Sequence, residues 1–119
     1  MFRSKITGLG FFVPDNIVSN DDLSKLMETS DDWISERTGI KNRRWVGDKK
    51  LTTSLMGTYA AENAIADAGI DKNDIDFIIF STLSPDYYFP GSGVLLQRNL
   101  GIKEIGALDV RNQCSGFIY

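Results

Sequence analysis

An α/β fold with a mainly parallel sheet flanked by helices is what this 119-residue sequence predicts, on three observations. Phe77-Ile78-Ile79-Phe80 is a continuous apolar run, typical of a parallel strand buried on both faces. Leu51 to Ala68 repeats its apolar residues at helical spacing and meets a stop at Gly69. Ala107-Leu108-Asp109-Val110 reads as a further buried strand, and strands alternating with helices imply parallel pairing.

Taken in order, Ile6 to Val13 reads as a strand with a glycine-rich bend, closed by Pro14 and Asp15. Its Gly8-Leu9-Gly10 invites a dinucleotide-binding reading. Val13 stands where the third glycine is needed, however, and Pro14 follows where a helix should already be running. Ser19 to Met27 is a short helix with acidic residues in its first turn, where the helix dipole favours them. A second helix begins near Thr29 or Ser30, carries Asp31 and Asp32 in its first turn, and runs to about Thr38 before Gly39. Arg43 to Val46 reads as a short strand. Leu51 to Ala68 gathers Leu51, Leu55, Met56, Tyr59, Ala60, Ala64, Ile65 and Ala68 on one apolar face. Asp76 to Thr82 is the buried strand, and Ser84 to Gly91 a loop holding Tyr87, Tyr88 and Phe89 between two prolines. Val94 to Leu100 is helical, stops at Gly101, and leads to the strand Ala107 to Val110. No repeat or linker divides the chain, so residues 1–119 read as a single unit.

Composition removes several function classes. With 42% hydrophobic and 24% charged residues the chain is an ordinary globular sequence, which excludes disorder. No apolar run approaches the length needed to span a bilayer, so no membrane role is expected. Two positive charges near the N-terminus lack the apolar run of a secretory signal. A single cysteine cannot form an internal disulfide, which fits a reducing, cytoplasmic setting. A net charge of −3 argues against general nucleic-acid binding. The absence of histidine narrows the chemistry most. No histidine-dependent metal site, Ser-His pair or Cys-His pair can be built from this chain, and none of these is expected.

Charge is unevenly spread. Asp15 to Glu36 holds seven acidic residues and one basic, Lys25, whereas Arg37 to Lys50 holds six basic residues and one acidic, Asp48. Such a basic segment reads either as a site for a polyanion, such as a phosphorylated ligand, or as a solvated loop.

Three places could carry chemistry. Cys114 follows the strand ending at Val110, with Ser115 to Tyr119 as the first turns of a helix. There a thiol would feel the positive end of the dipole, and backbone N–H groups could stabilise an oxyanion on an attacked thioester. Gly116 would let a substrate approach closely. The alternative is a buried cysteine acting as a small hydrophobe. Trp33 and Arg37, four apart on one helix face, suit an aromatic base and a phosphate together. Equally, Trp33 could fill the core while Arg37 pairs with Glu36 or Asp32. The aromatic loop from Tyr87 to Phe89 either lines a pocket or covers a core.

With these residues in place, the chain resembles the β-ketoacyl-[acyl-carrier-protein] synthase III family of the thiolase superfamily. The resemblance runs from Ile6-Thr7-Gly8-Leu9-Gly10 and Pro14 through Thr29-Ser30-Asp31-Asp32-Trp33-Ile34 and Arg37-Thr38-Gly39-Ile40. It continues through Ala66-Asp67-Ala68-Gly69-Ile70, Phe89-Pro90 and Leu100-Gly101-Ile102 to Cys114-Ser115-Gly116-Phe117. It implies a thiolase-like fold, with residues 1–119 as an incomplete N-terminal half-domain ending just after the nucleophile. It implies that Cys114 accepts an acyl group from acyl-CoA and that malonyl-acyl-carrier protein then condenses with it, completed by a histidine and an asparagine from a missing C-terminal half. Acyl-CoA is then a substrate, and no resident cofactor or metal is expected. By the same resemblance Trp33 stacks on the CoA adenine, Thr29 contacts that base, and Arg37 meets CoA phosphates. Phe89 lies in a loop that reaches the partner subunit's acyl pocket in a homodimer. Alone, this part would be inactive. Arg111-Asn112-Gln113 replace the small residues usual before the cysteine, which leaves the acyl-chain preference open. Two other readings remain: a related condensing enzyme with another acyl donor or product, and a non-catalytic CoA-binding piece.

Overall fold

A computed structural model describes residues 3–47, 50–112 and 114–119. The chain divides into two compact units, residues 13–50 and residues 1–12 with 51–119.

In the larger unit the sheet is built from β3 (Phe77–Ser81) and β4 (Gly106–Val110), numbered after two strands of the smaller unit. They pair in parallel, from Phe77 opposite Gly106 to Ser81 opposite Val110. Helix α4 (Ser92–Leu100) makes the crossover connection that parallel pairing requires, and α3 (Thr53–Ala68) precedes β3 in the chain. Ile78 on β3 closes a core with Leu96 and Leu100 of α4, lined further by Ala61, Ile65, Phe80 and Ala107. Each such buried aliphatic side chain contributes about 1.5–3 kcal/mol. Neighbouring Phe77, Ile79 and Leu108 are exposed, so this sheet is buried on one face, not on both as the apolar run predicts.

Helix α3 starts at the N-cap Thr52, whose hydroxyl accepts from Leu55 N–H, and stops at Gly69 in the left-handed region. Its buried residues are Ser54 and Thr58, one turn apart, and Asn99 of α4 donates to the Thr58 hydroxyl at 3.2 Å. Tyr59, expected on the buried face, is exposed and meets the Phe12 ring with centroids 4.9 Å apart.

The segment expected as a strand over Ile6 to Val13 forms no ladder and lies along α3 instead. Asp67 Oδ2 accepts from Leu9 N–H at 2.9 Å, and the Asn63 amide donates to Phe11 O at 3.0 Å. A Cβ on Gly8 or Gly10 would collide with α3 backbone at Ala64 or Ala60. These glycines therefore serve close approach to a helix, rather than a phosphate-binding turn. A 3-10 turn at Lys72–Asp74, capped by Asp71, precedes β3 and was not expected.

The smaller unit holds β1 (Ile17–Ser19), α1 (Asn20–Ser24), α2 (Asp31–Thr38) and β2 (Asn42–Arg44). Strands β1 and β2 pair antiparallel, Ile17 opposite Arg44 and Ser19 opposite Asn42. β1 escaped the sequence reading, and β2 ends before Trp45 and Val46. Helix α1 is shorter than Ser19 to Met27 and opens with a capping box between Ser19 and Asp22. Lys25 and the Ser19 hydroxyl hold the Asp22 carboxyl well below the ordinary carboxylate range. Only Val18 and Ile34 are buried hydrophobics among its described residues. Asn20, 1% exposed, takes the central place. Its amide donates to Asp31 Oδ1 at 2.6 Å and Ile40 O at 2.7 Å, while its oxygen accepts from Arg43 at 2.6 Å.

Candidate functional site

In the larger unit, Cys114 is exposed and opens a run of turns over residues 114–118 rather than a helix. One i→i+3 bond, Ile118 N–H to Ser115 O at 3.0 Å, holds the run. Among the described residues no helix opens at Cys114, so the dipole expected behind its thiol is not formed by residues 114–119. The turn is nonetheless seated. Gly116 is buried, and a Cβ there would run into the Ser81 hydroxyl at the carboxyl end of β3 and lie 2.9 Å from Asn112 O. The missing side chain is thus a packing requirement at this turn. An open, mainly apolar groove of about 520 Å³ lies between Phe117, Ser81, Phe80 and the Gly57, Ala60 and Ala64 face of α3. Gln113, part of the departure noted before Cys114, lies outside the described residues.

Among the described residues the aromatic loop Ser84 to Gly91 covers no core. Tyr87, Tyr88 and Phe89 are 63%, 80% and 91% exposed. Its two ends are tied. Asp86 accepts from Ser54 N–H at the start of α3 through both carboxylate oxygens, at 3.0 and 3.2 Å, and Thr53 donates to Ser84 O at 2.7 Å. Asp109 on β4 caps α4, accepting from Ser92 N–H at 2.7 Å and Gly93 N–H at 2.8 Å. Gly91 has φ of +102°, and a Cβ there would meet the Asp109 carboxylate at 2.6 Å. The turn and the cap therefore both require glycine. Arg111 reaches the loop tip, donating to Tyr88 O and standing 4.9 Å over the Tyr88 ring.

In the smaller unit, Trp33 and Arg37 do come together. Ser30 caps α2 by accepting from Trp33 N–H at 3.1 Å, and Gly39 ends the helix with φ of +71°. The Thr38 hydroxyl donates to Ile34 O at 2.7 Å and accepts from Ile40 N–H at 3.1 Å, which gives the Arg-Thr-Gly-Ile block a local structural reason. Trp33 is 54% exposed, so it does not fill a core. The Arg37 guanidinium lies 4.5 Å over its ring, and a loose 3.8 Å pair with Glu36 leaves the cation near solvent. Half-buried Thr29 precedes the cap. Other cations of the basic segment are engaged locally. Arg43 donates to Val18 O and Asn20, Arg44 to Pro14 O at 3.1 Å, and Lys41 to Ser35 at 2.9 Å.

Asp86 and Asp109 organise the loop without having been singled out from sequence, and Arg111, noted there only as a departure before Cys114, also holds it. Asp109 carried a usable signal, since a carboxylate on a buried strand needs donors. Among the described residues no group of three or more His, Cys, Asp or Glu could hold a metal, and no helix is long and apolar enough to cross a membrane.

No family model matches the chain. It is 50% identical over 117 residues to the beta-ketoacyl-[acyl-carrier-protein] synthase III of Chlamydia pneumoniae, covering 98% of this chain and 35% of that protein. Against synthase III 1 of Vibrio vulnificus the identity is 53% over 116 residues, covering 98% and 36%. The crystal structure of 3-oxoacyl-[acyl-carrier-protein] synthase III from Aquifex aeolicus superposes with a TM-score of 0.91 at 43% identity, covering 97% and 37%. The priming β-ketosynthase of the R1128 polyketide pathway gives a TM-score of 0.88 at 31% identity, covering 95% and 34%. The chain thus spans about a third of the length of these relatives. The resemblance to β-ketoacyl-[acyl-carrier-protein] synthase III holds across nearly all of the chain, and its fold is part of the thiolase-like α/β architecture.

Proposed function

We propose that the chain is part of a condensing enzyme that initiates fatty-acid synthesis by joining an acyl-CoA to malonyl-acyl-carrier protein. The observation that carries this is 50% identity to a synthase III over 98% of the chain. In this reading the Cys114 thiolate attacks the acyl thioester carbonyl, the bond to the CoA sulfur breaks and CoA leaves as its thiolate, so the acyl group rests on the Cys114 sulfur. Decarboxylation of the malonyl group then supplies the carbanion that attacks the acyl-enzyme and frees Cys114. By the resemblance to the family, a histidine and an asparagine outside residues 1–119 stabilise the developing enolate. Residues 1–119 form an N-terminal half-domain inactive by itself, and the complete protein is a cytoplasmic homodimer. Acyl-CoA enters as substrate, with no resident cofactor. Thr29, Trp33 and Arg37 bind its nucleotide end. The half-exposed Trp33 ring, with Arg37 against it, supports that role because a free aromatic face can stack on a base. Phe89 serves the acyl pocket, an assignment its exposure suits.

The likeness to a priming β-ketosynthase of a polyketide pathway favours a second reading, in which another acyl donor is used or another product made. The deciding experiment incubates the full-length protein with a series of acyl-CoAs and maps the acylated peptide by mass spectrometry. One acyl group on the Cys114 peptide, lost in Cys114→Ser, is expected, and labelling elsewhere would sink the assignment. Trp33→Ala should weaken acyl-CoA use by about 1–3 kcal/mol, the loss when one stacking partner is removed from a base. Use of the carrier-protein substrate, which has no adenine, should change less.

A further inference from the structure

We infer that Arg111 is a positioning residue that holds the tip of the aromatic loop, Tyr87 to Pro90, and thereby restricts which acyl groups the site admits. The inference rests on the acyl-pocket reading of Phe89 given above.

The loop has three anchors with different reach. Asp86 and Thr53 fix its start against α3, and Asp109 fixes its end through the first two N–H groups of α4. Both are short bonds to backbone, so they set where the loop leaves and returns, not how its tip lies. Between them stand three aromatics that the described residues leave 63% or more exposed. Arg111 acts on this stretch. One guanidinium N–H donates to Tyr88 O, while the guanidinium plane covers the Tyr88 ring at 4.9 Å. Carbonyl and ring of one residue are gripped together, which constrains both backbone and side chain of the residue before Phe89. A lysine could make either contact but lacks the flat fork that makes both.

The position of Arg111 gives the grip its consequence. It follows the last residue of β4, whose Asp109 caps α4, and precedes Cys114 by three residues. The strand end that leads to the thiol therefore also places the loop that carries Phe89. With Arg111 removed, both loop ends keep their contacts and the tip loses the Arg111 grip.

The test compares Arg111→Ala, Arg111→Lys and Tyr88→Leu in the full-length protein. Readouts are amide exchange over residues 86–91, thermal unfolding, and kcat and KM for the smallest acyl-CoA accepted and a bulkier one. Exchange at the tip should quicken by about tenfold in Arg111→Ala and Tyr88→Leu, the scale expected on losing a charge-assisted bond or a ring contact. The ratio of kcat/KM for bulky over small acyl-CoA should rise by roughly 10-fold, the lower end of what a pocket discriminates by one methylene. That rise should come through KM, with kcat for the small substrate unchanged, and Arg111→Lys should fall between. An unchanged ratio overturns the inference, as does an equal loss of kcat for both substrates with earlier melting. If the parent protein acylates Cys114 from no acyl-CoA, the functional reading fails instead, and the exchange data still decide whether Arg111 holds the tip.

Discussion

In the larger unit Ile78, Leu96 and Leu100 close an apolar core, whereas in the smaller unit the most buried described side chain is Asn20, bonded to Asp31, Ile40 O and Arg43. The first arrangement relies on contact area, which has no direction and tolerates side chains of similar volume. The second relies on donors and acceptors at set angles, so a partner of similar size but different chemistry cannot stand in. The sequences differ accordingly. The larger unit has Phe77 to Phe80 and the alanine-rich α3, while residues 13–50 are crowded with charge and offer Val18 and Ile34 as buried hydrophobics.

The largest effect should come from emptying the apolar core. Leu96→Ala should lower the unfolding free energy of the full-length protein by about 3 kcal/mol, from lost transfer energy and the cavity left behind. Leu96→Met keeps most of the volume and should cost less than about 1.5 kcal/mol. Denaturant unfolding of both variants checks this. Equal losses would mean that shape at this position matters as much as area, and the contrast between the units would fail.

Asn20→Leu is the matching test in the smaller unit. It preserves bulk but leaves Ile40 O and the Arg43 guanidinium short of a partner, and should cost about 2 kcal/mol. Faster amide exchange should be confined to residues 13–50. Protection unchanged there would show that the hub is dispensable.

Acid sharpens the same contrast. Asp31 is held below its ordinary value of 3.8, first by the Asn20 amide and then by the Ser35 hydroxyl, and Asp22 is lowered by Lys25 and Ser19. A carboxyl with a lowered folded pKa stabilises fully above its unfolded value and loses that contribution as pH falls through the folded one. The smaller unit should therefore lose amide protection as pH drops below 3.8, while β3 and β4 stay protected. In the larger unit the lowered carboxyl is Asp71, held by Asn73 within its own turn, so its protonation should loosen that turn alone. Simultaneous loss in both units would contradict the separation.

Helices were the legible part, because their signals are local. Thr52 and Gly69 bracket α3, and Ser30 and Gly39 bracket α2, much as capping chemistry requires. The apolar runs of β3 and β4 were legible too, but not which face would be covered. Ile6 to Val13 was misread because Gly8 and Gly10 answer to α3, more than fifty residues away, and that contact leaves no local trace. β1 failed for the same reason, since three residues become a strand only by pairing with Asn42–Arg44. Around Cys114 the motif could be read, while the burial of Gly116, the turn in place of a helix and the Asp109 and Arg111 contacts depend on tertiary packing.

The smallest expected effect tests whether surface charge holds the smaller unit. Lys41 Nζ lies 3.6 Å from Asp31 Oδ2, with side chains 67% and 43% exposed, and also donates to Ser35. Water screens such a pair, and ordering a long lysine chain offsets what attraction remains. Among the causes that lower Asp31, Lys41 follows both Asn20 and Ser35. Lys41→Ala should accordingly leave unfolding unchanged within error and leave the Asp31 titration low, as read from its carboxyl carbon by NMR. In Asn20→Leu the same signal should move up towards the ordinary carboxylate value. The two variants touch the same carboxylate from opposite sides, one through water-exposed charge and one through a buried amide. A loss of stability in Lys41→Ala matching that of Asn20→Leu, relieved by salt, would assign the unit to its surface charges and remove Asn20 from its centre.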